Sequence, residues 1–63
     1  MNCVAEIRKK MGISQESLAK KARISRPYLS DIENHKKQPS VSTAIRIAKS
    51  LGSKVEDIFF DNL

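Results

Sequence analysis

Apolar side chains recur along this chain at spacings of three and four, and each run is bounded by residues that start or stop helices. Val4, Ile7 and Met11 make the first stripe, and Gly12 follows where a left-handed residue closes a helix, which predicts a helix over residues 3–11. Ser14 then stands as an N-cap, its hydroxyl placed to accept from a free amide of the next turn. Leu18, Ala19 and Ala22 form the inward face of a second helix over residues 15–22. Ser25 caps a third helix, and Pro27 supports that boundary because first-turn amides have no intrahelical partner to lose. Its inward residues are Leu29 and Ile32 only, while Arg26, Ser30, Asp31 and Asn34 fall on other faces. A helix with so thin an apolar seam and so broad a polar surface has something polar to meet.

Residues 36–40 read as a loop. From Val41 onward Ala44, Ile45, Ile47, Ala48 and Leu51 form the widest apolar stripe, stopped by Gly52, so the fourth helix is expected to be the main support of the core. Ser53 with Glu56 three residues later has the spacing of a capping box, and Val55, Ile58 and Phe59 follow, which predicts a short fifth helix over residues 54–60. No run alternates with period two for long enough to suggest a sheet. The expected fold class is all-α, with five helices and no internal repeat or linker.

The connection between the second and third helices is the most informative feature. Only Arg23 and Ile24 separate Ala22 from the cap Ser25, too short for an antiparallel hairpin with both helices fully packed but suited to a steep crossing. Small Ala19 permits the close approach, and Ile24 is placed to plug the corner over Leu18, Leu29 and Ile32.

A chain of 63 residues is expected to form a single domain over residues 1–63. Its apolar share of 40 %, with 30 % charged residues and only 2 Gly and 2 Pro, suits a helical globule rather than a disordered chain. Domains this small usually need a staple. Cys3 is the only cysteine and His35 the only histidine, so an intrachain disulfide and a zinc site are both excluded, and dimerisation is left open. The lone thiol reads as an intracellular chain. Without an apolar signal region, or the ~20 apolar residues of a membrane span, the expectation is a cytoplasmic protein with no membrane partner. No acid, base, nucleophile or metal ligands cluster, so neither an enzyme nor a cofactor is expected. His35 reads as a loop residue and Cys3 as a partly buried terminal one.

Charge is distributed unevenly. The net +5 lies wholly within residues 1–37, which carry Arg8, Lys9, Lys10, Lys20, Lys21, Arg23, Arg26, Lys36 and Lys37 against Glu6, Glu16, Asp31 and Glu33. Residues 38–63 balance Arg46, Lys49 and Lys54 against Glu56, Asp57 and Asp61. An anion-binding front half is the simplest reading, and a solvated basic face the plainer one.

With the corner in place, the stretch Ile13-Ser14-Gln15-Glu16-Ser17-Leu18-Ala19-Lys20-Lys21-Ala22-Arg23-Ile24-Ser25-Arg26-Pro27-Tyr28-Leu29-Ser30-Asp31-Ile32-Glu33-Asn34 resembles the helix-turn-helix family of phage repressors and Cro proteins, also called the Xre family. The resemblance continues through Gln38-Pro39-Ser40, Ile47-Ala48-Lys49-Ser50-Leu51-Gly52 and Glu56-Asp57-Ile58-Phe59, and so covers nearly the whole chain. It implies a compact lambda-repressor-like domain whose third helix lies in the DNA major groove while the second crosses the backbone. Carried over by position, it implies base contacts from Arg26, Pro27, Ser30 and Asp31. It implies backbone contacts from Gln15, Ser25, Tyr28, Asn34, Lys36 and Lys37. Arg26 is the foremost specificity candidate, because arginine bonds guanine O6 and N7 bidentately. Asp31 is placed either to accept from a cytosine amino group or to orient Arg26, and Tyr28 either to touch DNA or to pack on its own helix. The family also has members in which the positions of Arg8 and Glu33 pair, fixing the first helix against the end of the third. This chain departs from it at Arg23 and His35, where glycine is frequent and a left-handed backbone costs another residue roughly 1–2 kcal/mol.

Phe59, Phe60 and Leu63 crowd the C-terminal segment, and one helix cannot bury all of them inward. Fraying is one account. The favoured one is a two-fold interface through the fifth helix and tail, setting two recognition helices about one DNA turn, ~34 Å, apart. The resemblance therefore implies a homodimeric, sequence-specific regulator of transcription, a repressor or autoregulator on a pseudo-palindromic operator, acting by occupancy and able to touch RNA polymerase from an adjacent site. The alternative from another class is an antitoxin-type protein-interaction module with secondary DNA binding.

Overall fold

In the computed structural model, which describes residues 2–59, helices follow where the caps and periods place them: α1 (Val4–Lys10), α2 (Gln15–Ala22), α3 (Arg26–Glu33), α4 (Val41–Ser50) and α5 (Val55–Ile58). Ser14 Oγ accepts from the Ser17 amide at 3.0 Å and Ser25 Oγ from the Tyr28 amide at 3.2 Å, so both expected serine caps form. Ser40 plays the same part for α4, accepting from the Thr43 amide at 3.2 Å.

Val4, Leu18, Ala19, Ala22, Leu29, Ile32, Ile47, Ala48, Leu51 and Ile58 share one core. Ile24 plugs the corner between α2 and α3 as expected, half-buried against it. α2 packs on both α3 and α4, so α4 lies behind the helix-turn-helix and carries it. Arg46 of α4 strengthens this seam by donating from Nε to the Ala22 carbonyl at 2.8 Å, closing the C-terminal end of α2 from a distant element. The backbone after α2 and after α3 is left-handed at Arg23 (φ 61°) and His35 (φ 62°), so two non-glycine residues take the conformation the family more often gives to glycine.

Four expectations need correction. Met11 is 50 % exposed, because α1 ends at Lys10 and this side chain stands past the last helical residue. Val41 is 78 % exposed and Ile45 39 %, because the two lie one turn apart at the edge of the stripe that Ala44, Ile47, Ala48 and Leu51 bury. The capping box at the fifth helix does not form: Lys54 takes the N-cap position without a side-chain bond, while Ser53 Oγ donates back to the Leu51 carbonyl at 3.4 Å. α5 is accordingly a single turn, and Phe60 of the expected helix lies outside the described residues.

Asn2 supplies a tie that the helical pattern does not announce. Its Oδ1 accepts from the Val4 amide at 3.1 Å, its Nδ2 donates to the Ile32 carbonyl at 2.9 Å, and its backbone makes an isolated antiparallel bridge with Phe59. The start of α1, the end of α3 and the end of α5 are thereby fastened together.

Candidate nucleic-acid interface

α2 and α3 pack together with their first residues, Gln15 and Arg26, in contact across the corner. Leu29 and Ile32 are wholly buried, which fixes the rotation of α3 and leaves Arg26, Pro27 and Asn34 exposed and Ser30 and Asp31 half-exposed. Asn34 Nδ2 donates to Ser30 Oγ at 3.3 Å, so these two form one polar patch at the end of the helix. Lys36 and Lys37 continue it on the exposed loop, held by amide bonds to the Asp31 carbonyl at 2.8 and 3.3 Å. Lys37 Nζ also lies 3.6 Å from Asp31 Oδ2. The Asp31 carboxylate therefore faces Lys37 across the helix end.

Arg26 has a different partner. Its Nε donates to Gln15 Oε1 at 3.4 Å, so the first residues of α2 and α3 touch across the corner. Gln15 Nε2 in turn donates to Glu33 Oε1 at 3.2 Å. Glu33 is gripped by Arg8 through Nε to Oε2 at 2.8 Å and Nη2 to Oε1 at 3.1 Å, and Arg8 Nη1 donates to the Ile13 carbonyl at 3.0 Å. The Arg8–Glu33 side chains are only 12 % and 6 % exposed, which makes theirs a buried pair rather than a surface one. It joins α1 to the end of α3 as the resemblance implies.

Ser25 is exposed, and its Oγ accepts from the Tyr28 amide as the helix cap. Tyr28 is half-buried, with its ring packed against the core, so packing on its own scaffold takes a share of that residue. Phe59 also packs half-buried against the core, whereas Phe60 and Leu63 lie outside the described residues. Phe59 lines a cavity of about 340 Å³ together with Val41, Ala44 and Val55 on one side and Asn2 and the loop residues His35, Lys37, Gln38 and Pro39 on the other.

Sequence reasoning missed three contributors here. Gln15 was read only as a backbone contact, although it also bridges Glu33 and Arg26; Arg46 and Asn2 were not singled out at all. Among the described residues no cluster of histidine, cysteine and carboxylates is arranged to hold a metal ion, and no helix is long and apolar enough to cross a membrane.

Comparison with known proteins agrees with this geometry. A helix-turn-helix family model matches residues 4–58. The chain is 44 % identical over 55 residues to the immunity repressor protein of Bacillus phage phi105, covering 87 % of this chain and 38 % of that one. It is 38 % identical over 60 residues to an uncharacterised helix-turn-helix transcriptional regulator of Archaeoglobus fulgidus, covering 94 % and 86 %. Among solved structures it is similar to the restriction-modification controller protein C.AhdI from Aeromonas hydrophila, with a TM-score of 0.85 at 27 % identity over 89 % of this chain and 85 % of that one. The biofilm master regulator SinR, solved in complex with DNA, matches with a TM-score of 0.78 at 31 % identity over 84 % and 86 %. The clp gene regulator ClgR from Corynebacterium glutamicum gives 0.82 at 30 % identity, with 86 % of this chain matched to 57 % of that one. This chain thus spans 38 % of the phage repressor and 57 % of that ClgR chain, less than two thirds of each. These relatives are regulators rather than enzymes, and the chain belongs to the helix-turn-helix family of Cro/Xre-type transcriptional regulators.

Proposed function

We propose that this chain binds double-stranded DNA sequence-specifically as a homodimer, with α3 in the major groove, and represses transcription by occupying a pseudo-palindromic operator. The observation that carries the reading is the face of α3: a helix anchored by only two fully buried side chains presents Arg26, Pro27, Ser30 and Asp31 outward, beside Gln15 and the Lys36–Lys37 loop. Such a face meets base edges with its first turn and phosphates at its flanks. Arg26 uses Nε on Gln15 and keeps both Nη groups for guanine O6 and N7. Gln15, Ser25, Tyr28, Asn34, Lys36 and Lys37 set register on the backbone without reading sequence.

The homodimer uses Phe59, and with it Phe60 and Leu63 of the tail. Support comes from exposed Val41, which lines the same cavity as Phe59, and from exposed Ile45 one turn further along α4. A related domain has been solved on DNA, and a phage relative is named as a repressor; both favour this reading. Bound at an operator, the dimer blocks polymerase or touches it from an adjacent site.

The test is selection of bound sequences from a random duplex pool at physiological salt, followed by footprinting of the winner. An inverted repeat with half-site centres about one turn, ~34 Å, apart is the expected result. Arg26→Ala should relax preference at one or two base pairs, whereas Lys36→Ala should weaken binding to all sequences and lower the salt slope by about one. An unenriched pool from folded protein would overturn the reading and point to a protein partner or to binding by charge alone.

A further inference from the structure

Four side chains run as one hydrogen-bonded chain through the front half of the molecule: Arg8, Glu33, Gln15 and Arg26. They come from α1, the last residue of α3, the first of α2 and the first of α3. The order matters because a primary amide has two unlike ends. An isolated Gln15 could turn either end toward Arg26 at little cost. Presenting its NH2 would set a donor against a guanidinium that has donors only, while presenting its carbonyl makes a bond. Glu33 decides between them. Its buried carboxylate accepts only, so it takes Nε2 and turns Oε1 outward to Arg26. Arg8 in turn fixes the Glu33 carboxylate through two bonds.

From this geometry we infer that Glu33, clamped by Arg8, is a positioning residue for DNA recognition: it sets the polarity of the Gln15 amide, and that amide orients the Arg26 guanidinium for base reading. The inference rests on the reading of Arg26 given above. It gives the Arg8–Glu33 pair a second task beyond fastening α1 to α3. It also gives Gln15 a dual position. One Nε2 proton goes to Glu33 and the other stays free for a phosphate oxygen, so a correctly seated backbone contact and a correctly aimed arginine are set by the same amide. The 3.4 Å Arg26 contact is the longest in the chain of bonds, as suits a side chain that must adjust to its base.

The experiment replaces the ion pair without stranding a charge. In Arg8→Met/Glu33→Met both charges leave together and apolar side chains fill the space, a change that buried pairs commonly tolerate. Binding is measured to the duplex selected above and to its single-base-pair variants, with thermal melting to establish folding. Arg26→Ala should cut discrimination at its base pair by about 5- to 100-fold. The double variant should cut it at that same pair by about 3- to 10-fold, leave other pairs unchanged, and add nothing once Arg26 is already alanine. Gln15→Met, a half-exposed change that keeps the ion pair, should produce the same local loss together with a uniform weakening. It serves if the double variant does not fold. Unchanged discrimination in a folded double variant, or in Gln15→Met, overturns the inference while Arg26 keeps its role. Unchanged discrimination in Arg26→Ala overturns the reading of Arg26 itself, and this inference with it.

Discussion

α3 and α4 are close in length and opposite in how they are held. α4 buries Thr43, Ala44, Ile47 and Ala48 along one side and leaves Val41 and Ile45 bare at its edge. α3 buries Leu29 and Ile32 and is otherwise secured at its ends: by the Ser25 cap, by Arg8 on Glu33, and by Asn2 on the Ile32 carbonyl. A helix fixed at its ends keeps its long face free for a ligand, whereas one fixed along its length serves as a foundation. The same division appears in charge, with the whole net +5 carried by residues 1–37, from α1 through α3 and the Lys36–Lys37 loop.

The sharpest way to break this contrast is to weaken each kind of attachment separately. Ile47→Ala should cost about 4 kcal/mol, enough to leave a domain of this size largely unfolded at room temperature. Arg8→Met should cost about 3 kcal/mol, because it strands the buried Glu33 carboxylate. Urea denaturation followed by circular dichroism measures both. If Arg8→Met proved harmless while Ile47→Ala unfolded the chain, the ends of α3 would not be its anchors.

Next in size is relief of backbone strain. Arg23→Gly and His35→Gly should each raise stability by about 0.5–1 kcal/mol, since glycine removes the left-handed penalty but loses more freedom on folding. For a domain this small, each change should lift Tm by about 4–8 °C. A lowered Tm at either site would mean that the side chain itself holds the corner.

How much of this was legible in the sequence depended on distance along the chain. Ser14 and Ser25 could be read as caps because the acceptor and its amide are three residues apart. The corner at Arg23 and Ile24 was legible for the same reason. Gln15 and Glu33 are 18 residues apart, and Arg46 and Ala22 are 24, so these bonds exist only after α1, α2, α3 and α4 have packed. Periodicity marked Ile45 as part of a stripe but could not say how wide a strip of α4 its neighbours would cover. Ser53 and Glu56 had capping-box spacing, yet the turn from Leu51 through Ser53 is closed by its own backbone, with the Ser53 amide on the Ala48 carbonyl at 2.9 Å, and leaves Lys54 at the cap.

The bare edge of α4 offers a smaller and more selective effect. Val41→Asp should leave the folded monomer nearly unchanged, because its side chain is already in solvent, but should weaken self-association about tenfold or more. Sedimentation equilibrium, run beside a thermal melt at low concentration, separates the two quantities. Unaltered association would remove this edge from the interface and leave Phe59 and the tail to carry it alone.

The smallest effect lies where the two halves meet. Cys3 stands between Asn2 and α1, with its amide donating to the Ile58 carbonyl at 3.1 Å and its thiol against the Asp57 carbonyl at 3.4 Å. Burial first, and then the negative charge of Glu6, push this thiol above its ordinary value of 9.0. The folded chain therefore holds the thiol proton more tightly than the unfolded chain does. The resulting stabilisation is complete below the unfolded value and is lost as pH rises through the folded one. At pH 8 the thiolate is scarcer than in a free cysteine, so iodoacetamide should label Cys3 more slowly than a model thiol. Labelling should quicken as pH passes 9.0, or sooner if the contact between α1 and α5 opens. Arg8→Met tests which region governs that opening. If it slackens α1 as a whole, labelling accelerates with it; if the rate is unchanged in a still-folded variant, the Cys3–Ile58 seam holds independently of the recognition half.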